Sequence, residues 1–326
     1  MAQLKDLLLE SCNIMADYAK KCKNDFVASR CDWYHAAWQY LRALDCVSAP
    51  QWHEAFYNKA LNEAIPNKQK KVRILISGTA DYSLLHLVVT FLTKRNIAAE
   101  IVIIDLCLTP LKICDWYAQN CHKLGIPSNY KPTDLSNGKT NVKTVQINEQ
   151  ILLKTICQDI TYYSPDRDKN GNKEEYDIIC ADALLTRFTR NAAKSVTKKW
   201  EELLAKNGKI ITTVRVSTDV NVEKPQQTLC QLSIEINKYC AKVLERFDGL
   251  SADERNKLNI SSEDLQFMAF RYIERMKSNR LGTLNQIKEI FEYANLKIID
   301  LGDKQPYRVE GEIDETFYYQ IFAEKK

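Results

Sequence analysis

Apolar positions in the first 66 residues recur at three- and four-residue steps. Leu4, Leu7, Leu8, Ile14, Met15 and Tyr18 form one such set, and a second amphipathic run covers Asp32-Trp33-Tyr34-His35-Ala36-Ala37-Trp38-Gln39-Tyr40-Leu41-Arg42. That period gathers apolar side chains on one helical face, so the segment reads as a helical lobe. Ser48-Ala49-Pro50 interrupts it, with Pro50 suited to a first helical turn, where a missing N–H costs nothing. A polar, lysine-rich stretch from Asn67 to Lys71 follows, and then the period changes.

Val72-Arg73-Ile74-Leu75-Ile76 and Glu100-Ile101-Val102-Ile103-Ile104-Asp105 are short apolar runs with a helical stretch, about Asp81 to Lys94, between them. Runs apolar on both faces suit buried parallel strands, and the three pieces form a βαβ unit. Thr109-Pro110 is expected to cap the next helix, 110–124, which Gly125 would stop. The segment 126–150 is polar and poorly periodic and reads as an insertion. Ile151 to Cys157 is the third strand, and Tyr176 to Ala181 the fourth, after a charged loop from Ser164 to Glu175. A helix ending through Trp200 to Lys206 at Asn207-Gly208 precedes the fifth, Lys209 to Val214. Helical patterning fills 223–280. A helix at 283–294 and strands at 296–301 and 316–322 close the chain. Alternation of this kind predicts a doubly wound α/β fold, its mostly parallel sheet gaining a mixed edge from the last pair.

Composition narrows this picture. Only 9 glycines and 8 prolines in 326 residues disfavour collagen-like and turn-dense all-β architectures, and 45% hydrophobic with 27% charged residues is ordinary for a globular protein. The charge is +4, with basic residues spread along the chain, too mild and too dispersed to argue for nucleic acid. Lys68, Lys70, Lys71 and Arg73 form a local cluster beside the first strand, where a solvated linker explains them. Eleven cysteines carry no CxxC spacing and no secretory leader precedes them, which points to a reducing, cytoplasmic setting. Cys107, Cys114 and Cys121, seven apart, read as small buried thiols on one helical face. No apolar run is long enough to span a bilayer, so no membrane partner is expected.

Ligands of a doubly wound sheet bind beyond the carboxyl ends of its strands. Four tips therefore carry the candidate chemistry: Gly78-Thr79-Ala80-Asp81, Asp105-Leu106, Asp159-Ile160 and Ala181-Asp182. Gly78 permits a tight turn and close backbone approach, Asp105 is placed to accept hydrogen bonds from both hydroxyls of a ribose, and Asp159 could orient an adenine amino group.

The runs Val72 to Ser83, Ile104-Asp105-Leu106-Cys107-Leu108-Thr109-Pro110-Leu111 and Tyr176-Asp177-Ile178-Ile179-Cys180 resemble the class I S-adenosylmethionine-dependent methyltransferases, and within them a bacterial branch with a Gly-Thr-Ala-Asp first loop. The resemblance is strong over 72–215 and extends through the terminal strand pair to 326. It implies a seven-stranded Rossmann-like sheet with the last strand antiparallel. With the helical patterning at either side, the chain is expected to divide into an N-terminal helical lid (1–66) and a cofactor-binding domain (67–326) with a helical insertion at about 220–282. By the family pattern Gly78, Thr79 and Ala80, with Asp81, meet the amino-acid part of S-adenosyl-L-methionine, Asp105 and Leu106 its ribose, and Asp159 and Ile160 its adenine, with Ala181 beside them. The absence of GxGxxG disfavours a nicotinamide cofactor.

Methyl transfer from a sulfonium is mainly proximity and orientation, with a base where the acceptor must lose a proton. The densest polar-aromatic cluster, Asp32 to His35 with Trp38, makes His35 and Tyr34 candidate catalytic residues, and Asp182 and Arg215 join them from the fourth and fifth strand tips. Leu185, Arg271 and Tyr272 are expected in the acceptor wall. Asp166-Arg167-Asp168-Lys169-Asn170-Gly171 opens like a calcium loop, with Asp177 at the twelfth position, but Lys173 at the eighth and a following strand favour a solvated turn. His35, His53, His86 and His122 have no ligand spacing, and no metal is expected. The expected partner is a small-molecule or peptide-derived acceptor, methylated at oxygen or nitrogen, and a homodimer is left open. Protein or RNA methylation, and a catalytically silent binding module of the same fold, are the alternatives.

Overall fold

The computed structural model describes residues 2–22, 33–65, 71–133, 142–165, 174–216, 229–275, 281–299, 307–308 and 317–326. The calcium-loop opening at 166–171, Asp32, Lys68 and Lys70 lie outside them. Five parallel strands form the centre of an α/β fold: β1 (Val72–Ser77), β2 (Ala99–Asp105), β5 (Ile151–Cys157), β6 (Tyr176–Ala181) and β7 (Leu204–Val216). With β3 (Lys131–Thr133), β4 (Val142–Gln146), β8 (Leu296–Ile299) and β10 (Phe317–Lys325) the order is β3-β4-β5-β2-β1-β6-β7-β10-β8, and β9 (Tyr307–Arg308) pairs with β10. β10 runs antiparallel to both β7 and β8, as expected of the last strand.

Seven strands were expected, whereas the described residues form ten. The hairpin β3–β4 lies in the stretch expected to be an irregular insertion and pairs antiparallel with β5. Edge strands need cover on only one side, so the pattern there is weak: Thr144 and Val145 are buried while Lys143 is exposed. Two boundaries also differ. The helix expected to reach Asn207-Gly208 ends at Leu203, and β7 starts at once at Leu204, with a register irregularity against β6. The helix after β2 begins at Leu108, and the Cys107 thiol, rather than Thr109, caps it by accepting from the Thr109 amide at 3.4 Å.

Alternation along the strands divides the core in two. Ile74, Ile76, Ile101 and Ile103 face one side, which is covered by α4 (Ser83–Lys94) and α5 (Leu108–Asn120). The same core includes α1 (Ala2–Lys20), α2 (His35–Ala43) and α3 (Glu54–Ala64), together with α7 (Leu229–Asp248), α8 (Ala252–Leu258) and α9 (Ser262–Arg275). Leu75, Val102, Ile104 and Ile179 face the other side, against α6 (Arg190–Leu203) and α10 (Leu284–Tyr293). There the fully buried Trp200 donates from Nε1 to the Ser77 hydroxyl at 2.9 Å, fixing the end of β1. Cys107, Cys114 and Cys121 are buried free thiols, and Cys12, Cys22, Cys46, Cys157, Cys180 and Cys240 are free thiols too. Among the described residues no helix is long and apolar enough to cross a membrane.

The N-terminal helices are fastened to the sheet by polar links as well as by packing. The Tyr57 hydroxyl donates to the Ala181 carbonyl at 2.8 Å and to Asp182 Oδ1 at 3.0 Å, and Tyr318 donates to Ser48 Oγ at 2.9 Å. At the far side of the sheet, α10 starts with a capping box in which Thr283 and Gln286 exchange backbone-to-side-chain bonds. Replacing Thr283 with alanine is expected to cost about 1 kcal/mol, read as a lower urea midpoint with an unchanged slope.

Candidate functional site

β1 lies where the strand order reverses, with β2 and β5 on one side and β6 and β7 on the other, so the tips of these strands open onto one crevice. The turn after β1 needs a single glycine. Gly78 has φ +70°, its amide donates to the Ile104 carbonyl at 2.8 Å, and a Cβ there would lie 2.6 Å from Leu184 Cδ1. Neither Ala80 nor Tyr82 is among the described residues with positive φ, so a loop short of glycine still makes the turn.

Asp105 holds the two neighbouring loops together. Its Oδ2 accepts from the Thr79 amide at 3.0 Å and its Oδ1 from the Cys107 amide at 2.7 Å. Burial pushes its carboxyl up to about 6, against the opposing effect of those two amides and of His35. Asp81 Oδ1 accepts from the Ser83 amide at 2.7 Å at the start of α4, while Asp81 Oδ2 is buried with no hydrogen-bond partner among the described residues. Asp159 Oδ1 accepts from the Thr161 amide at 2.8 Å and the Thr161 hydroxyl at 2.7 Å, capping a short 3-10 turn, Ile160–Tyr162. At the β6 tip Asp182 Oδ1 takes hydroxyls from Tyr57 and Thr213, the latter at 2.8 Å, and burial raises its carboxyl above the usual range. Ala183 beside it adopts φ +47°, a conformation that costs a residue with a Cβ roughly 1–2 kcal/mol and is held here by a bond from its amide to Thr213 Oγ1.

These tips floor a cavity of about 810 Å³, within the range of small-molecule sites. Gly78, Thr79, Ala80, Asp81, Asp105, Leu106, Asp159 and Ile160 all line it, as do the expected Tyr34, His35, Asp182, Arg215 and Tyr272. Three expected residues do not. Ala181 is buried in the strand with its carbonyl held by Tyr57, and Leu185 faces the second core. Arg271 points its guanidinium over the Phe267 ring at 5.6 Å.

The roof comes from residues distant in sequence. His35 is buried, with Nδ1 lacking a hydrogen-bond partner, and Trp38 Nε1 is in the same condition among the described residues. Tyr34 and Tyr272 stack at 6.1 Å and 11°, and Tyr272 and Tyr239 at 6.4 Å and 21°. Arg187 lies 4.7 Å over Tyr34, and Tyr318, beside Arg215 in the β7–β10 register, completes the wall. Leu184, Arg187, Tyr239 and Tyr318 are lining residues that sequence reasoning missed. For Tyr318 the signal was present: in Phe317-Tyr318-Tyr319-Gln320-Ile321-Phe322 every second residue shares a face, and that face leads to the fifth-strand tip. Among the described residues no group of three or more histidine, cysteine or acidic side chains is arranged to hold a metal ion.

No protein-family model matches the chain, and no curated protein sequence does. Solved structures do, and S-adenosylmethionine-dependent methyltransferases are among them at low identity. A putative O-methyltransferase from Nostoc punctiforme is 14% identical with a TM-score of 0.43, over 89% of this chain, which spans 60% of that protein. Magnesium protoporphyrin IX methyltransferase from Synechocystis, solved with S-adenosylhomocysteine, is 10% identical with a TM-score of 0.46, over 93% of this chain and all of that one. A putative zinc-dependent alcohol dehydrogenase from Rhodobacter sphaeroides is 12% identical with a TM-score of 0.44, over 90% of this chain and 98% of that one.

Proposed function

We propose that the chain binds S-adenosylmethionine at the strand tips and transfers its methyl group to an oxygen or nitrogen of a small molecule. The observation that carries this reading is the meeting, at the reversal of strand order, of the Gly78 turn, the Asp105 carboxylate and the orphaned Asp81 Oδ2, in a cavity that continues into an aromatic chamber. A buried carboxylate oxygen without a partner is costly unless a ligand satisfies it, and a cationic amino group is the natural complement. Asp81 would hold that amino group, Asp105 the ribose hydroxyls, and Asp159 with Ile160 the adenine. When bound, the cofactor supplies an electrophilic methyl group on a sulfonium.

The remaining work is positional. His35, which lines the cavity and whose buried Nδ1 has no hydrogen-bond partner among the described residues, is the group to take a proton from a hydroxyl or amine acceptor. Asp182, held by Tyr57 and Thr213, is suited to fixing the fourth-strand tip rather than to exchanging protons. The N-terminal helix α2 would close the acceptor side against water.

Binding of S-adenosylhomocysteine tests the reading. At a hundredfold excess over Kd it is expected to stabilise the protein by about 2.7 kcal/mol, seen as a rise in Tm. Affinity is expected to fall as pH drops below about 6, because ribose hydroxyls donate to the ionised form of Asp105 and burial has raised that carboxyl to about 6. No shift at millimolar ligand and pH 8 would sink the proposal.

A further inference from the structure

Two thiols meet where the N-terminal lobe touches the second strand tip. α1 ends in a turn in which the Lys21 amide donates to the Asp17 carbonyl at 3.3 Å and the Cys22 amide to the Ala19 carbonyl at 3.2 Å, and Cys22 packs there against the first core. Its Sγ lies 3.7 Å from Cys107 Sγ, although 85 positions separate the two in the chain. Two further links hold α1 in place: Lys112 of α5 stands 5.8 Å over the Tyr18 ring, and Lys123 pairs with Glu10 at 2.7 Å.

Cys107 is built into the candidate site. Its amide donates to Asp105 Oδ1, its thiol accepts from the Thr109 amide at the start of α5, and it lines the cavity. Cys107 is buried, whereas Cys22 is half-buried and is not among the lining residues. A third thiol, Cys157 at the β5 tip, stands near enough to feel both. Burial, with Asp105 and these two thiols, pushes it up to about 11, and it donates to the Leu106 carbonyl at 3.5 Å. A thiol so rarely ionised is a poor competitor for either partner.

We propose that Cys22 and Cys107 form a redox switch on the cofactor site: a peroxide closes a disulfide between them, and the bond weakens the grip of the β2 tip on S-adenosylmethionine. The more accessible Cys22 thiolate attacks one peroxide oxygen, which breaks the O–O bond, leaves a sulfenic acid on Cys22 and releases the other oxygen as water. The Cys107 sulfur then attacks the Cys22 sulfur and expels its hydroxyl, which takes the Cys107 proton and leaves as a second water. Two thiols are oxidised and one peroxide is reduced. Sulfurs in contact at 3.7 Å must approach further to bond, which draws the Cys107 sulfur from the Thr109 amide and pulls on the backbone that holds Asp105. The loss of affinity rests on the proposed cofactor reading, whereas the bond rests on the two thiols alone.

The full chain, reduced and then treated with stoichiometric hydrogen peroxide at pH 8 and desalted, tests this by peptide mapping without reductant and by calorimetry with S-adenosylhomocysteine. Mapping is expected to find Cys22 joined to Cys107, and affinity to fall by about tenfold or more on the scale of a displaced site contact. Dithiothreitol should restore it. Cys22→Ser should bind like the reduced parent before and after peroxide. No crosslink, a crosslink that joins other cysteines, unchanged affinity in the crosslinked protein, or a loss in peroxide-treated Cys22→Ser equal to that of the parent would overturn the proposal. If the reduced parent ignores S-adenosylhomocysteine while the Cys22–Cys107 crosslink still forms, the thiol chemistry is upheld and the cofactor reading is removed instead.

Discussion

Asp105→Ala is expected to weaken binding of S-adenosylhomocysteine by at least about a hundredfold, measured by calorimetry at pH 8. Hydrogen bonds to an ionised partner contribute about 1.5–3 kcal/mol each, and a carboxylate serving two ribose hydroxyls loses both at once. The same carboxylate also accepts from the Thr79 and Cys107 amides, so the variant loosens the first two strand tips together. Its stability should nevertheless depend on pH in a particular direction. Burial raises the Asp105 carboxyl from 3.8 to about 6, so its favourable contribution is present below the unfolded value and is lost as pH rises through about 6. Alanine carries no such loss. The variant's Tm, relative to the parent, should therefore be better at pH 8 than at pH 4, and a constant difference across that range would contradict the assigned environment. Asp159→Ala, whose carboxylate is already committed to a cap through Oδ1, should cost binding far less than Asp105→Ala.

The central strands were legible because they are buried on both faces, which leaves uninterrupted apolar runs such as Ile101 to Ile104. The tips followed from those strands, since Gly78, Asp105, Asp159 and Asp182 sit within two residues of a strand end. Local signals failed where burial is one-sided or where tertiary pairing overrides a turn pattern. Thr144 and Val145 belong to an edge hairpin with too few covered positions to show a period. Lys206-Asn207-Gly208 looks like a helix stop, yet the pairs that flank it against β6, Tyr176 with Leu204 and Ile178 with Lys209, carry it into β7 as a register irregularity. The chamber was the least legible part. Tyr34, Arg187, Tyr239, Tyr272 and Tyr318 come from separate elements, so no spacing in the sequence relates them, and only the packing of α2, α7 and α9 over the sheet brings them together.

Gly78→Ala is expected to abolish most cofactor binding while Gly125→Ala leaves it unchanged, and the contrast separates two effects of a methyl group. Both glycines have nearly the same backbone, φ +70° and +72°. Each substitution should therefore cost a similar roughly 1–2 kcal/mol of strain in the left-handed region. The surroundings differ. At Gly125 nothing lies within 4 Å of the added Cβ, whereas at Gly78 it would lie 2.6 Å from Leu184 Cδ1. Leu184 can turn its isobutyl end, so the second cost need not appear in the melting temperature. It lines the cavity, however, and any rearrangement around it alters the wall beside the Gly78 turn. The two variants should thus melt within a few degrees of each other, yet Gly78→Ala alone should lose S-adenosylhomocysteine affinity, by about tenfold or more on the scale of a misplaced site contact. Adding Leu184→Ala to Gly78→Ala removes the clash without relieving the strain. Recovery of binding in that double variant would assign the loss to the wall of the site, and failure to recover would assign it to the turn itself.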